Sequence, residues 1–109
     1  MAGIKRVLGQ DAPAATTWTD LYICGVANGA IVSCLSATNR TMIDTKIRVA
    51  VRPNGNALED KHYELFDFVV PGNDRFSFVE GLTLDAGDVL SVYAEAAHIS
   101  FGAYGQEFS

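Results

Sequence analysis

Imidazole, thiol and paired carboxylate groups are the side chains with which a small protein does chemistry, and this 109-residue chain spaces few of them usefully. Its two histidines, His62 and His98, have no second ligand at metal spacing and no Ser or Cys motif beside them that would mark a nucleophile. Both are expected to be polar residues on strand surfaces or strand ends. The carboxylates offer two pairs, Glu59 with Asp60 and Asp85 with Asp88. Neither follows the calcium-loop spacing of alternate acids ending in glycine, and a glycosidase pair needs a cleft that a chain this short has little material to build. Asp85 and Asp88 flank a glycine and are expected to satisfy backbone groups of a turn. Neither GxxxxGK nor a strand-followed GxGxxG occurs. The expectation is therefore no catalytic residues, no cofactor and no metal site.

Composition narrows the partners. A formal net charge of -5, with no long run of Lys and Arg, lacks the electrostatic footprint of a nucleic-acid binder. No apolar run reaches the roughly 18 residues of a membrane span, and the start MAGIKRVLGQDAPAA has charge without the apolar centre of a signal peptide. Neither nucleic acid nor membrane is an expected partner, and synthesis in a cytoplasm without secretion is the simplest reading. The sequon Asn39-Arg40-Thr41 is then accidental.

The elements that would position any site are strands. In TKIRVAVR, Ile47, Val49 and Val51 point one way while Lys46, Arg48, Ala50 and Arg52 point the other. ELFDFVV places Phe66, Phe68 and Val70 on one face against Leu65, Asp67 and Val69, and Phe76 and Phe78 repeat the period. Asn28-Gly29, Pro53-Asn54-Gly55, Pro71-Gly72-Asn73-Asp74 and Asp85-Ala86-Gly87-Asp88 punctuate these runs. Eight strands follow, near Ile4 to Leu8, Thr17 to Cys24, Ala30 to Thr38, Thr45 to Arg52, Tyr63 to Val70, Arg75 to Val79, Asp88 to Glu95 and His98 to Tyr104. The fold expected is all-β, one antiparallel two-sheet β-sandwich over residues 1–109, immunoglobulin-like or jelly-roll. The polar stretch GQDAPAATTWTD allows a variant in which residues 1–16 form an extended arm instead of a core strand.

Two thiols are too few for a disulfide scaffold. A two-residue hairpin at Asn28-Gly29 would set Cys24 opposite Ser33 and Cys34 opposite Ile23, one residue out of register and on opposite faces. Free thiols, an intrachain bond through a bulge or longer loop, and a cross-link between subunits stay open for Cys24 and Cys34. Most aromatics fall at alternating strand positions and belong to the core. Trp18, Phe101, Tyr104 and Phe108 are the exceptions, near chain ends or in a Gly-rich tail, where burial calls for a neighbouring subunit.

The runs VLGQDAPAATTWTDLY, VSCLSATNR, IRVAVRPNGNALEDKHY, GLTLDAGDVLSVYA and ISFGAYGQE together resemble small virion proteins of tailed bacteriophages. Those proteins carry a similar order of VLGQ, LY, CNR, RVAVRP, KHY, LTL...DVV.VYA and SF..FG elements. The resemblance runs from Val7 to Glu107. The chain departs from the pattern at Cys24-Gly25, where a Val-Pro is expected, and at Thr38, where Cys is common, so no cysteine pairing is carried over. What the resemblance implies is a β-sandwich structural component of the phage particle, with no catalytic residues.

The expected function is thus a non-enzymatic virion protein, decorating the capsid in multiple copies or serving as a neck, tail or baseplate adaptor, with other virion proteins and its own copies as partners. Ile4, Val7, Leu8, Trp18, Arg48, Arg52, Lys61, Phe101, Tyr104 and Phe108 are its candidate interface, the three cations forming an outward row suited to a neighbour's carboxylates. A binding module for a carbohydrate or host surface is the alternative, using Trp18, Tyr22 and Tyr104: an exposed coplanar pair would favour it and burial of all three would sink it. A cupin-like enzyme would need a His and carboxylate cluster inside the barrel.

Overall fold

The computed structural model describes residues 3–108 of the chain. Nine strands appear in it: β1 Gly3–Asp11, β2 Thr19–Ile23, β3 Ala30–Asn39, β4 Thr45–Arg52, β5 Tyr63–Val70, β6 Arg75–Phe78, β7 Leu82–Leu84, β8 Val89–Ala94 and β9 Ile99–Phe108. Short 3-10 turns at Pro53–Gly55 and Asp60–His62 fill the link between β4 and β5. One sheet runs β1-β9-β3-β6, with β7 also paired to β3, and the other runs β2-β8-β4-β5. Every pairing is antiparallel.

Taking β6 and β7 as one interrupted strand, the chain visits the sheets in the order first, second, first, second, second, first, second, first. That alternation, with the first and last strands side by side, is the jelly roll, so of the two sandwich types expected the immunoglobulin-like one is set aside. The ninth element arises because Val79–Gly81 breaks the strand opposite β3, with Gly81 at a φ of 82°.

The core lies between the sheets and is mainly aliphatic, with Tyr22 and Phe101 as its buried aromatics. Val32, Ile47, Val49, Leu84, Leu90, Val92 and Ile99 are essentially inaccessible, and burial of each such side chain contributes about 1.5–3 kcal/mol. Ile47 and Val49 take the inward places their alternation predicts, while Val51 is half-buried at the strand end. Phe101, expected at an interface, is 3% exposed and belongs to this core. It sits on the central strand β9, between β1 and β3, where both sheets cover it.

Three expectations are corrected by tertiary pairing. The Asn28-Gly29 dipeptide does not close a hairpin: β2 and β3 lie in different sheets, and Gly29, at φ 82°, turns the chain across the gap. Cys24 and Cys34 are consequently not neighbours in any ladder, and both are free thiols. Residues 3–11 are not a detached arm, because β1 pairs with β9 from Gly3↔Phe108 to Asp11↔Phe101; Met1 and Ala2 lie outside the described residues. Finally, β5 does not keep a single alternation. Asp67 adopts φ 51° and the pairing slips between Ile47↔Phe68 and Val49↔Leu65, a bulge that turns Leu65 toward the core and Phe66 out to 58% exposure.

One polar side chain is built into the crossing between the sheets. Asn39, 2% exposed at the end of β3, donates through Nδ2 to the carbonyls of Ile43 at 2.7 Å and Val70 at 3.0 Å. Its Oδ1 accepts from the Thr41 backbone N–H at 3.0 Å and the Thr41 hydroxyl at 3.1 Å. With its amide so engaged, the Asn39 sequon is closed to glycosylation in the folded state. Replacing Asn39 with Ala strands two carbonyls and an amide, each unmet buried group costing about 1–3 kcal/mol. Urea denaturation of Asn39→Ala is expected to show a loss of about 3 kcal/mol or more; a loss under about 1 kcal/mol would mean that water replaces the side chain.

Candidate interaction site

The outer face of the β2-β8-β4-β5 sheet gathers the aromatics that the core does not use. Trp18 lies against Tyr93 with centroids 5.3 Å apart and against Tyr63 at 6.0 Å, and Tyr63 meets the edge of Phe66 at 4.9 Å. Arg48, opposite Tyr93 in the ladder, lays its guanidinium 4.2 Å from the Phe66 centroid and 5.2 Å from that of Tyr93. The bulge at Asp67 aims the carboxylate back at Arg48, Nε to Oδ1 2.7 Å. That hydrogen bond holds the Asp67 carboxyl below its ordinary range and raises Arg48 above its own.

Arg52 is equally occupied. It donates to Asp20 at 2.9 Å, to Ser91 at 3.1 Å, and to the carbonyls of Gly55 and Asn56 at 3.1 and 2.9 Å. Lys61 lies 4.0 Å from Glu59. Of the outward row, Arg48 and Arg52 are therefore engaged inside the chain, while Lys61 keeps an exposed side chain in the link. The reason is that β4 is an inner strand, so Arg48 and Arg52 find carboxylates on β5 and β2, Asp67 and Asp20.

The histidines are structural. His62 is buried, its Nδ1 accepting from the Glu59 N–H at 3.0 Å, and His98 Nε2 lies 2.6 Å from the Thr45 hydroxyl. Asp88 does what turn acids do, accepting from the backbone of Asn54 at 2.9 Å and Asp85 at 2.8 Å. Among the described residues no three of His, Cys, Asp and Glu converge as a metal site.

The β1-β9-β3-β6 sheet has a different outer face and a free edge. From Gly3 to Val7, β1 is exposed, Ile4 to 50% and Val7 to 55%, and of its remaining residues Leu8 and Gly9 are half-buried where β2 approaches. At Gly9 the strands approach so closely that a Cβ would stand 2.0 Å from the Leu21 carbonyl oxygen. Leu8, at the bulge between Val7 and Gly9, turns inward against the core. Arg6 pairs with Glu107 at 3.1 Å, and Glu107 also accepts from the Tyr22 hydroxyl, so one carboxylate ties β1 and β9 to β2. Burial first, then that hydrogen bond, pushes the Tyr22 phenol upward. Phe108 is half-buried against Gly3 at the same end. Cys34 and Tyr104 face each other across β3 and β9 on the outer surface, beside Lys5 and Arg6.

The three proposed sugar-stacking aromatics thus separate. Tyr22 is buried, Trp18 is half-buried in a tilted cluster, and Tyr104 is half-buried on the opposite face of the sandwich. They form no coplanar pair. No protein-family model, no curated protein and no solved structure matches the chain. No helix of the described residues is long and apolar enough to cross a membrane.

Sequence reasoning weighed Asn39 only as a sequon and passed over Gln10, Gly102 and the exposed pair Met42 and Ile43, which are 83% and 69% exposed in the link from β3 to β4. For Met42 and Ile43 a signal existed, two apolar residues in a polar turn; for Asn39 none did, since Asn at a strand end is ordinary turn chemistry.

Two measurements test this surface. Because Asp67 is held below its ordinary value of 3.8 by Arg48 in the folded state, its stabilisation is complete above that value and fades as pH falls through the lower folded value. Asp67→Asn, which tolerates the left-handed backbone, is expected to show a smaller drop in urea midpoint between neutral pH and about pH 3 than the parent chain; an identical drop would refute the pairing. In native protein a maleimide is expected to label Cys34 and spare Cys24, which is 1% exposed. Mass spectrometry of the adducts should show the second label only after unfolding.

Proposed function

We propose that this chain is a non-enzymatic structural protein of a tailed-phage virion, present in several copies as a capsid decoration or accessory protein. The observation that carries the reading is the free half of β1. Exposed strand backbone with Ile4 and Val7 beside it is what a folded monomer normally shields, and pairing with an added strand satisfies it. The resemblance from Val7 to Glu107 supplies the virion, and jelly rolls are a common architecture of viral capsid proteins, an analogy of fold only.

The charges at that edge say something about the strand that docks there. Antiparallel pairing of two copies of Gly3–Val7 at full overlap sets Lys5 opposite Lys5, and shifts toward Val7 set Lys5 opposite Arg6 or Arg6 opposite Arg6, whereas shifts toward Gly3 set Lys5 opposite Ile4 or Gly3. Like charges directly opposite are destabilising. A docking strand that carries carboxylates, from another virion protein or from a different part of a neighbouring copy, therefore matches Lys5 better than a second β1 at those like-charged overlaps, Arg6 being already paired with Glu107.

Mass spectrometry of gradient-purified particles from the phage genome that encodes the chain is expected to find it at many copies, and dissociation into capsid and tail fractions locates it. Absence from purified particles would overturn the proposal. The variant Lys5→Glu reverses the charge at the exposed edge, is expected to fold with unchanged urea midpoint, and should be lost from particles; full incorporation would exclude docking of an acidic strand on β1.

A further inference from the structure

On the outer face of the β1-β9-β3-β6 sheet, starting at Tyr104 opposite Val7 and running toward Ser100, lies an open groove of about 390 Å³. We infer that this groove binds a neutral oligosaccharide, with Tyr104 as the aromatic wall and the hydroxyls of Ser36, Thr38 and Ser100 on its floor. The ladder explains why these residues meet. Outward positions on β9 are Ser100, Gly102 and Tyr104, and they stand opposite Thr38, Ser36 and Cys34 of β3, while Gln10 of β1 stands opposite Gly102 from the other side.

Gly102 is the residue that shapes the floor. A Cβ there would come within 2.5 Å of the Tyr104 hydroxyl and 2.9 Å of two ring carbons. Its absence lets the Tyr104 ring recline along β9 over the strand, where Gln10 Nε2 donates to the phenol oxygen at 3.4 Å. A reclined ring beside small hydroxyl residues leaves a shallow trough with one apolar wall.

The lining chemistry selects the ligand class. Hydroxyls and an amide supply many weak donors and acceptors, and an aromatic ring supplies a surface for the apolar faces of a pyranose. The one ionised group in the lining is Asp11, which disfavours an anionic ligand and accepts from sugar hydroxyls. A lipid or an apolar peptide would desolvate these polar groups without returning their hydrogen bonds. The cluster around Trp18 on the opposite face is a poorer candidate, because Arg48 already covers its rings and Arg52 and Asp20 already hold Ser91. The groove inference is independent of the virion proposal: particle incorporation reads Lys5 at the free edge, and sugar binding reads Ser36 and Tyr104 with β1 unaltered.

The test is a two-dimensional amide NMR titration of the full chain with maltohexaose, cellohexaose, xylohexaose and mannohexaose, each at millimolar concentration. Saturable shifts are expected with at least one of the four, centred on Gln10, Ser36, Gly102 and Tyr104. Tyr104→Ala is expected to weaken binding about tenfold or more, Tyr104→Phe to retain most of it, and Ser36→Arg to abolish it by filling the floor. Trp18→Ala, on the other sheet, should leave affinity unchanged. No saturable shift with any of the four sugars, shifts centred on Trp18, or a well-dispersed Tyr104→Ala spectrum with undiminished affinity would each overturn the inference.

Discussion

The jelly roll has to carry its chain back and forth between two sheets, and each crossing takes backbone out of a ladder beside an apolar core. Asn39 solves this at the link from β3 to β4. Its single amide side chain meets Ile43, Val70 and Thr41, so the end of one sheet, the end of the other and the loop between them share one hydrogen-bonded node. Buried polar groups left unpaired cost more than paired ones return, so the node must be complete to be worth having. Thr45, with its hydroxyl donating to Ile43 and lying beside His98, extends the same network toward β9.

With the crossings fixed, the two outer faces become different surfaces. The sheet containing β4 folds its cations onto its own aromatics and carboxylates, through Arg48 with Asp67 and Arg52 with Asp20, and so presents a face whose strongest groups are already paired. The sheet containing β9 presents hydroxyls, a glycine floor and a reclined tyrosine, bordered by an edge whose first half is uncovered. The proposed docking edge and the proposed sugar groove therefore lie on the same sheet. The bulge at Asp67 contributes to this division: it gives Arg48 its partner, and it also interrupts the regular edge of β5, one of the ways proteins discourage strand addition.

Strand-forming segments were legible because alternation and turn residues are local properties. Eight expected strands coincide with observed ones, and only β7, three residues long, went unrecognised beside the break at Gly81. The inward placing of Ile47 and Val49 followed from the same period. What misled was local too: Asn28-Gly29 has the composition of a hairpin turn, yet whether two strands pair or part across a turn depends on which sheet each finds.

The sequence by itself determined an all-β sandwich and most of its strands, since period and composition act within a few residues. Only the tertiary structure decided the jelly-roll order, the turning of Phe66 outward at the Asp67 bulge, the burial of Phe101, and the intrachain partners of Arg48 and Arg52. The meeting of Gln10, Ser36, Gly102 and Tyr104 belongs with these. Each depends on residues far apart in the chain being brought into one ladder, and register between distant strands is set by the packing of the whole core instead of by any segment's own preference.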